Sequence, residues 1–303
     1  MTAPEPHPGF FVPEIRAPRR QIGRRAFDFS RQVAIMAIVN RTPDSFYDEG
    51  ATFALDRAVT SAVTAAEEGA DWVDIGGVPF SPDTPEVSTE EELDRVLPVV
   101  EAVAARSDVV ISVDTYRPEV ALACLAAGAS VINDTNGLRN PAMADVIAAT
   151  GATVVVAHSL ADPHQHHRRP QYADVVSDVA RFLRERVAVA ERAGIAAEQI
   201  VIDPGHDLNK NTVHSLELTR RIHEITAIGL PTLVALSNKD FIGETLDRER
   251  PDRLVGSLAT AVLCVAQGAR IVRVHNVAPT VDAVRMTEAV LGFRKPAWTR
   301  HNL

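Results

Sequence analysis

A chain of 303 residues is ordinary for one α/β barrel and long for one β-sandwich. With 46% hydrophobic and 23% charged residues it can fold around a large core. Its formal charge of −9 speaks against an extended nucleic-acid surface and leaves a small ligand as the natural partner, although a local cationic pocket remains compatible with it.

At the start of the chain, Pro4, Pro6, Pro8, Pro13 and Pro18 precede Arg19, Arg20, Arg24 and Arg25, with no hydrophobic core of a secretory signal. Residues 1–32 are therefore expected to be a poorly ordered arm. No apolar run approaches the roughly 20 residues that cross a bilayer, so no membrane partner is expected. Cys124 and Cys264 sit inside separate apolar helical patterns and are expected to be buried free thiols, as suits a reducing cytoplasm.

Apolar runs and helical patterns then alternate. A strand is predicted at 33–39 and a helix at about 55–68, closed by Gly69. Strand 72–75 precedes helix 90–105, with Ser88 or Thr89 as its cap. Strand 109–113 precedes helix 118–127, where Pro118 suits the first helical position. Strand 130–132 leads to a short helix from 141, and strand 153–156 to a long one at 173–193. Strand 199–202 precedes helix 212–224, strand 231–236 precedes helix 252–267, and strand 269–274 precedes helix 280–290.

Each run ends on polar residues that a core strand does not need: Asn40, Asp74, Asp114, Asn133, His158, Asp203, Ser237 with Lys239, and Arg273 with His275. Strand, polar tip and helix repeated eight times describe a (β/α)8 TIM barrel with its site at one mouth. Uniformly apolar strands agree with burial on both faces. The rival, a doubly wound sheet, would bring a Gly-rich turn after the first strand, and residues 40–45 contain no glycine. One domain at 33–295 is expected, followed by a short tail at 296–303.

A single Asp or Asn at a strand end commonly holds a turn or caps a helix. Eight polar tips together point instead to a barrel mouth. Asp74 is set apart, because Gly76 and Gly77 follow it and it reads as a brace for its neighbours. Asp114, Asn133, Asp203 and Lys239 suit a planar heterocycle with an amidine-like edge, since a carboxylate accepts two parallel N–H bonds. Equally, they suit a network that only neutralises buried acids. Asn40, Arg273 and His275 lie on the first and last strands, neighbours in a closed barrel, and make an anion site at which Asn40 can ligate a phosphate-bound Mg²⁺. His164, His166 and His167 lack a carboxylate or cysteine at ligand spacing and read as a solvated loop. Ser112 and Ser237 lack a nucleophile-elbow context.

The motifs Asn40-Arg41-Thr42-Pro43-Asp44-Ser45-Phe46, Asp74-Ile75-Gly76-Gly77, Ser112-Val113-Asp114-Thr115, Ile132-Asn133-Asp134, Asp203-Pro204-Gly205, Lys239 with Phe241-Ile242-Gly243, and Arg273-Val274-His275 resemble the dihydropteroate synthase family. The resemblance spans about residues 33–292 in order. It implies a barrel that binds 6-hydroxymethyl-7,8-dihydropterin pyrophosphate, releases pyrophosphate with Mg²⁺, and joins the pterin methylene to the amine of p-aminobenzoate. It further implies Asp114, Asn133, Asp203 and Lys239 as pterin ligands, with Asp114, Asp203, Lys239 and Arg273 acting in catalysis. Asn40, Arg273 and His275 would serve the pyrophosphate and its metal. A homodimer through late helices is also implied.

Some positions depart from the family pattern. Val78-Pro79-Phe80-Ser81-Pro82-Asp83 stands where Glu-Ser-Thr-Arg-Pro-Gly is usual, so the Thr and Arg of the anion region become Phe80 and Ser81. His206-Asp207-Leu208-Asn209-Lys210 replaces Ile-Gly-Phe-Gly-Lys, and Asn238-Lys239-Asp240 replaces Arg-Lys-Ser. Arg41 stands for a Val, and Ala157 for the Met that packs on the pterin. The site thus loses an arginine and gains Asp207 and Asp240, while Arg41 offers partial compensation. A charge-assisted contact is worth about 1.5–3 kcal/mol, so the expectation is a diverged pterin-binding paralogue with weak, altered or absent synthase activity. The alternatives are an authentic synthase, a pterin-dependent methyltransferase, and a non-enzymatic pterin-binding scaffold.

Overall fold

Eight continuous Val, Ile and Ala runs become parallel strands, but the chain first makes a hairpin that the sequence analysis did not anticipate. The computed structural model describes residues 10–40, 51–79, 84–162, 165 and 169–301. Strand β1 (Arg19–Ile22) pairs antiparallel with β2 (Arg25–Asp28) through a two-residue turn at Gly23, whose φ is +56°. A Cβ at Gly23 would sit 2.7 Å from Ser130 Oγ, so both conformation and space require glycine. The expectation of a poorly ordered arm is therefore corrected for this stretch. Ile22, Phe27 and Phe29 are buried against Trp72, and Phe27 meets its ring edge-on at 5.9 Å. The arginines of this arm are partly structural: Arg20 Nη1 donates to Ile200 O at 2.7 Å and Arg25 Nη2 pairs with Asp71 at 3.0 Å.

The barrel strands are β3 (Ala34–Asn40), β4 (Trp72–Gly76), β5 (Val110–Asp114), β6 (Val131–Asp134), β7 (Thr153–Ala157), β8 (Ile200–Asp203), β9 (Leu233–Val234) and β10 (Ile271–Val274). Their order is β8-β7-β6-β5-β4-β3-β10-β9, all parallel, and the bridge between Ile202 and Thr232 closes the ring. This is the single (β/α)8 barrel that the alternating runs predict.

Around it lie α1 (Ala51–Glu67), α2 (Thr89–Ala104), α3 (Pro118–Ala126), α4 (Pro141–Thr150), α5 (Val175–Arg192), α6 (Thr212–Arg220), α7 (Ile222–Thr226), α8 (Asp240–Leu246), α9 (Leu254–Ala266) and α10 (Val277–Val290). Local signals act as expected at several ends. Ser88 Oγ accepts from Glu91 N at 3.1 Å, Asn140 caps α4 ahead of Pro141, and Gly151 ends α4 at φ +73°. Two differences matter. The helix predicted at 212–224 breaks at Arg221 into α6 and α7, and α8 arises in what read as a connection.

Strand residues alternate between two cores, because successive side chains point to opposite faces. Val33, Ile35, Ala37 and Val39 face the helices, whereas Ala34 and Met36 join Trp72, Val110, Val131, Val155, Val201, Leu233 and Ile271 inside the barrel. Both cysteines are buried and unpaired. Among the described residues, no helix is long and apolar enough to cross a membrane.

Candidate functional site

Two residues beyond the apolar floor, the same alternation delivers polar groups to the barrel axis. Trp72 is followed inward by Asp74, Val110 by Ser112, Val131 by Asn133, Val201 by Asp203, and Ile271 by Arg273. One further step brings Asn40, Gly76, Asp114, Ser237 and His275 to the mouth of a cleft of about 640 Å³. The strand register fixes the neighbours, with Asp74 opposite Ser112 and Asp114 opposite Asn133. Asp114, Asn133, Asp203, Lys239, Asn40, Arg273 and His275, the residues singled out in the sequence, all line this cleft.

His158 does not. It lies one residue past Ala157 of β7 and so turns outward, with its Nδ1 2.9 Å from Lys210 Nζ and its ring edge-on to Phe182 at 4.9 Å. Burial and then the Lys210 charge push its pKa down to about 2, so the ring is a neutral structural partner.

Asp74 is the hub of the floor and is fully buried. Its carboxylate accepts from Ser112 Oγ at 2.6 Å, Asn133 Nδ2 at 3.0 Å and Arg273 Nε at 2.6 Å. Arg273 reaches on to Asp114 Oδ2 at 3.1 Å. Burial works against the charge of Arg273, but Asp74 and Asp114 more than offset it and hold the guanidinium above its ordinary pKa. Asp114 moves up to about 7, through burial first and the nearby Asp74 second, with Arg273 opposing. Burial also raises Asp203, which accepts from Gly205 N at 2.7 Å, and lowers Lys239.

With its amide nitrogen committed to Asp74, Asn133 leaves Oδ1 buried and without a hydrogen-bond partner among the described residues. An orphaned buried acceptor is costly unless a ligand or water meets it. Asp114 and Asp203 add further acceptors to the cleft, so this part of the site suits a ligand edge rich in N–H donors.

The loop after β8 is held from within. Gly205 has φ +67°, and a Cβ there would fall 2.1 Å from His158 O. Lys210 Nζ donates to Gly205 O at 2.8 Å and Leu208 O at 3.0 Å. Its burial lowers the ammonium pKa to about 7. Burial, then Lys210 and Lys239, push His206 down to about 3; its Nε2 is 3.3 Å from Thr219 Oγ1.

The added acids differ from the free charges that the sequence analysis placed in the ligand region. Asp207 Oδ2 accepts from the backbone N of Asp240 at 2.8 Å, and Oδ1 accepts from Ser215 Oγ at 2.8 Å. The Asp207 carboxylate thus satisfies an amide at the start of α8. Asp240 pairs with Arg253 Nη1 at 2.8 Å and points largely into solvent, 73% exposed. Both acids are matched locally, and both consume donors at this end of the cleft.

Beside Arg273, Ser237 Oγ lies 3.1 Å from His275 Nδ1 and also accepts from His275 N at 3.2 Å. Partial desolvation, then Arg273, Lys239 and Arg250, lower the imidazole to about 4. Glu92, Tyr116 and Arg250 are among the lining residues that escaped the sequence reading. Glu92 is one of three acids in the first turn of α2, yet it is fully buried, pairs with Arg117 and leaves Oε1 without a hydrogen-bond partner among the described residues. Nothing local distinguishes it from Glu90 and Glu91, because only the helix rotation turns it inward. Residues 41–46, 80–83, His164, His166 and His167 lie outside the described residues. Among the described residues, no group of three His, Cys, Asp or Glu side chains is placed to hold a metal.

Comparison with known proteins agrees with this geometry. Residues 36–275 match the family described as pterin binding enzyme. The chain is 43% identical over 261 residues to the dihydropteroate synthase of Escherichia coli (strain K12), covering 86% of this chain and 93% of that one. It is 46% identical over 276 residues to the inactive dihydropteroate synthase 2 of Mycobacterium tuberculosis (strain ATCC 25618 / H37Rv), covering 89% and 86% respectively. Among solved structures it resembles Xanthomonas albilineans dihydropteroate synthase with 4-aminobenzoic acid, at a TM-score of 0.84 and 42% identity, covering 90% of this chain and 98% of that one. The chain belongs to the dihydropteroate synthase family of pterin-binding enzymes.

Proposed function

We propose that the cleft binds the pterin of 6-hydroxymethyl-7,8-dihydropterin pyrophosphate and supports weak, altered or no condensation with p-aminobenzoate. The observation that carries the pterin reading is the buried, unpartnered Oδ1 of Asn133, in a cleft shared with Asp114 and Asp203. Ring N–H donors satisfy these acceptors, and Lys239 bonds the ring carbonyl. Arg273 and His275 take the pyrophosphate, whose departure leaves the ring to delocalise positive charge while the protein positions and stabilises.

Mg²⁺ fits as a companion of that pyrophosphate. It retains most of its waters and takes one or two protein oxygens. Asn40 offers one amide oxygen to the cleft, next to Gly76. When bound, the ion neutralises charge on the leaving phosphates.

The reading of impaired condensation rests on the second-substrate end. Asp207 already occupies the Asp240 amide, and Arg253 is committed to Asp240. A carboxylated amine entering there forgoes a charge-assisted contact worth about 1.5–3 kcal/mol, or roughly ten- to a hundredfold in affinity. The authentic synthase is the second reading, favoured by 43% identity to the Escherichia coli enzyme. Calorimetry with the pterin pyrophosphate and Mg²⁺, followed by a coupled assay with p-aminobenzoate, separates the two. Turnover at ordinary enzyme rates, about 1–10³ s⁻¹, would overturn the impaired reading, and absence of pterin binding would overturn both.

A second copy of the chain is proposed as partner through α9 and α10. Helix α9 carries no charged residue and exposes Val255 and Leu263, while α10 exposes Met286 and Val290. An apolar face of this kind is ordinarily covered in a soluble assembly. The two buried free thiols fit a reducing, cytoplasmic setting.

A further inference from the structure

Residues 80–83, Phe-Ser-Pro-Asp, include no lysine or arginine. The cations that line the described walls are already engaged to different degrees. Arg273 serves Asp74 and Asp114, while Lys239 is partly buried and feels the charges of Asp207, Asp203 and Asp240 without an ion pair among the described residues. Arg250 differs from both in being exposed. It lines the cleft together with Ser237, Lys239 and His275, and among the described residues it makes no ion pair or side-chain hydrogen bond. Its charge nevertheless reaches the site, being one of those that lower His275.

The backbone that presents Arg250 is anchored. Arg250–Asp252 form a single 3₁₀ turn containing Pro251, with Asp252 N donating to Glu249 O at 3.0 Å. The adjoining Arg253 ties this turn to α8, donating from Nε to Arg248 O at 3.0 Å and from Nη1 to Asn238 O at 2.9 Å. Gly243 makes room for that guanidinium, since a Cβ there would lie 2.4 Å from it. A free cation is thus held on a fixed turn at the rim, next to the β9 and β10 tips.

We infer that Arg250 is the outer anion-binding residue of this cleft and takes the terminal phosphate of a diphosphate whose inner phosphate meets Arg273 and His275. Arg250 reaches the cleft from the turn between α8 and α9. This rests on the proposed pterin pyrophosphate reading for the identity of the ligand, but the phosphate contact itself does not require a pterin. An exposed arginine loses side-chain entropy on binding, so its contribution is that of one charge-assisted contact.

Titration calorimetry on the full chain tests this with three probes: the pterin pyrophosphate, the matching pterin alcohol without phosphates, and inorganic pyrophosphate, each with Mg²⁺. Arg250→Gln is expected to weaken both phosphorylated probes about tenfold or more while leaving the alcohol unchanged. It should also reduce the salt dependence of pyrophosphate binding. Unchanged melting shows that the variant is folded, as expected for a rim residue, and Arg250→Lys should recover part of the loss. Equal binding of the pterin pyrophosphate by wild type and Arg250→Gln overturns the inference. Loss confined to inorganic pyrophosphate, with no pterin binding in the wild type, keeps Arg250 as an anion residue and sinks the pterin reading. A wild type that binds none of the probes sinks both.

Discussion

Removing the Asp74 carboxylate should damage ligand binding beyond its effect on stability, because it holds three donors that originate on three other strands. Ser112, Asn133 and Arg273 converge on it at 2.6, 3.0 and 2.6 Å. In Asp74→Ala these donors lose their acceptor, and Arg273 keeps only Asp114 at 3.1 Å. Breaking a buried ion pair costs about 3–5 kcal/mol, and the remaining Asp114 contact puts the expected loss near the lower end, about 3 kcal/mol. For a chain of this size that corresponds to a fall in Tm of roughly 5–10 °C. The more informative effect is on Asn133. Without Asp74 nothing fixes which face of its amide points inward, so Oδ1 no longer waits for a ligand N–H, and pterin affinity should drop about tenfold or more. Asp74→Asn retains a carbonyl acceptor for Asn133 but removes the charge. It should recover much of the pterin affinity without recovering the stability. The assay pairs urea denaturation with calorimetry of a pterin alcohol. Folded Asp74→Ala protein that binds the pterin as wild type does would refute the reasoning, as would identical behaviour of the Asn and Ala variants.

Asp114 should leave a pH signature. Its folded pKa is raised to about 7 from 3.8, so the folded protein holds this proton more tightly than the unfolded chain. Its contribution is complete below about pH 4 and is lost as pH rises through 7. Asp114→Asn should therefore gain stability relative to wild type between pH 4 and 7, by up to about 1.4 kcal/mol per unit, and level off above. Urea midpoints at pH 5, 6 and 8 check this, and a difference that does not vary with pH is the opposing result. Gly205→Ala combines a φ of +67° with a Cβ 2.1 Å from His158 O; a loss of about 3 kcal/mol or more is expected, and a melting curve within a degree of wild type would contradict it. Val255→Glu with Leu263→Glu should convert the proposed dimer to monomer in light scattering while leaving the melt of dilute protein little changed. A wild type that is already monomeric removes the dimer proposal.

The amino-acid sequence alone determined the barrel and the chemical kind of its mouth. Both depend on short-range regularities: apolar runs of strand length, helical patterns between them, and a side-chain period of two that carries Asn133 or Arg273 inward wherever the apolar floor residue two places earlier points inward. The same period explains the one tip that failed. His158 lies an odd step past the inward Val155, and a single-residue shift exchanges the faces of a strand.

What only the tertiary structure decided are the pairings between distant segments. The hairpin of β1 and β2 is ordered because its Phe27 and Phe29 close the floor of a barrel whose strands follow it in the chain. Glu92 faces the cleft through the rotation of α2, and Arg250 through a turn pinned by Arg253. The Asp207 acid, hostile to an anion when read as a free charge, is spent on an α8 amide that lies 33 residues away. Asp74 becomes a hub only when β5, β6 and β10 bring Ser112, Asn133 and Arg273 to it. A sequence specifies which groups reach the axis, since that follows from local geometry. Which of them are already satisfied, and which remain free for a ligand, depends on where barrel closure places their partners, and among the described residues Asn133 Oδ1, Glu92 Oε1 and Arg250 are some of those it leaves open.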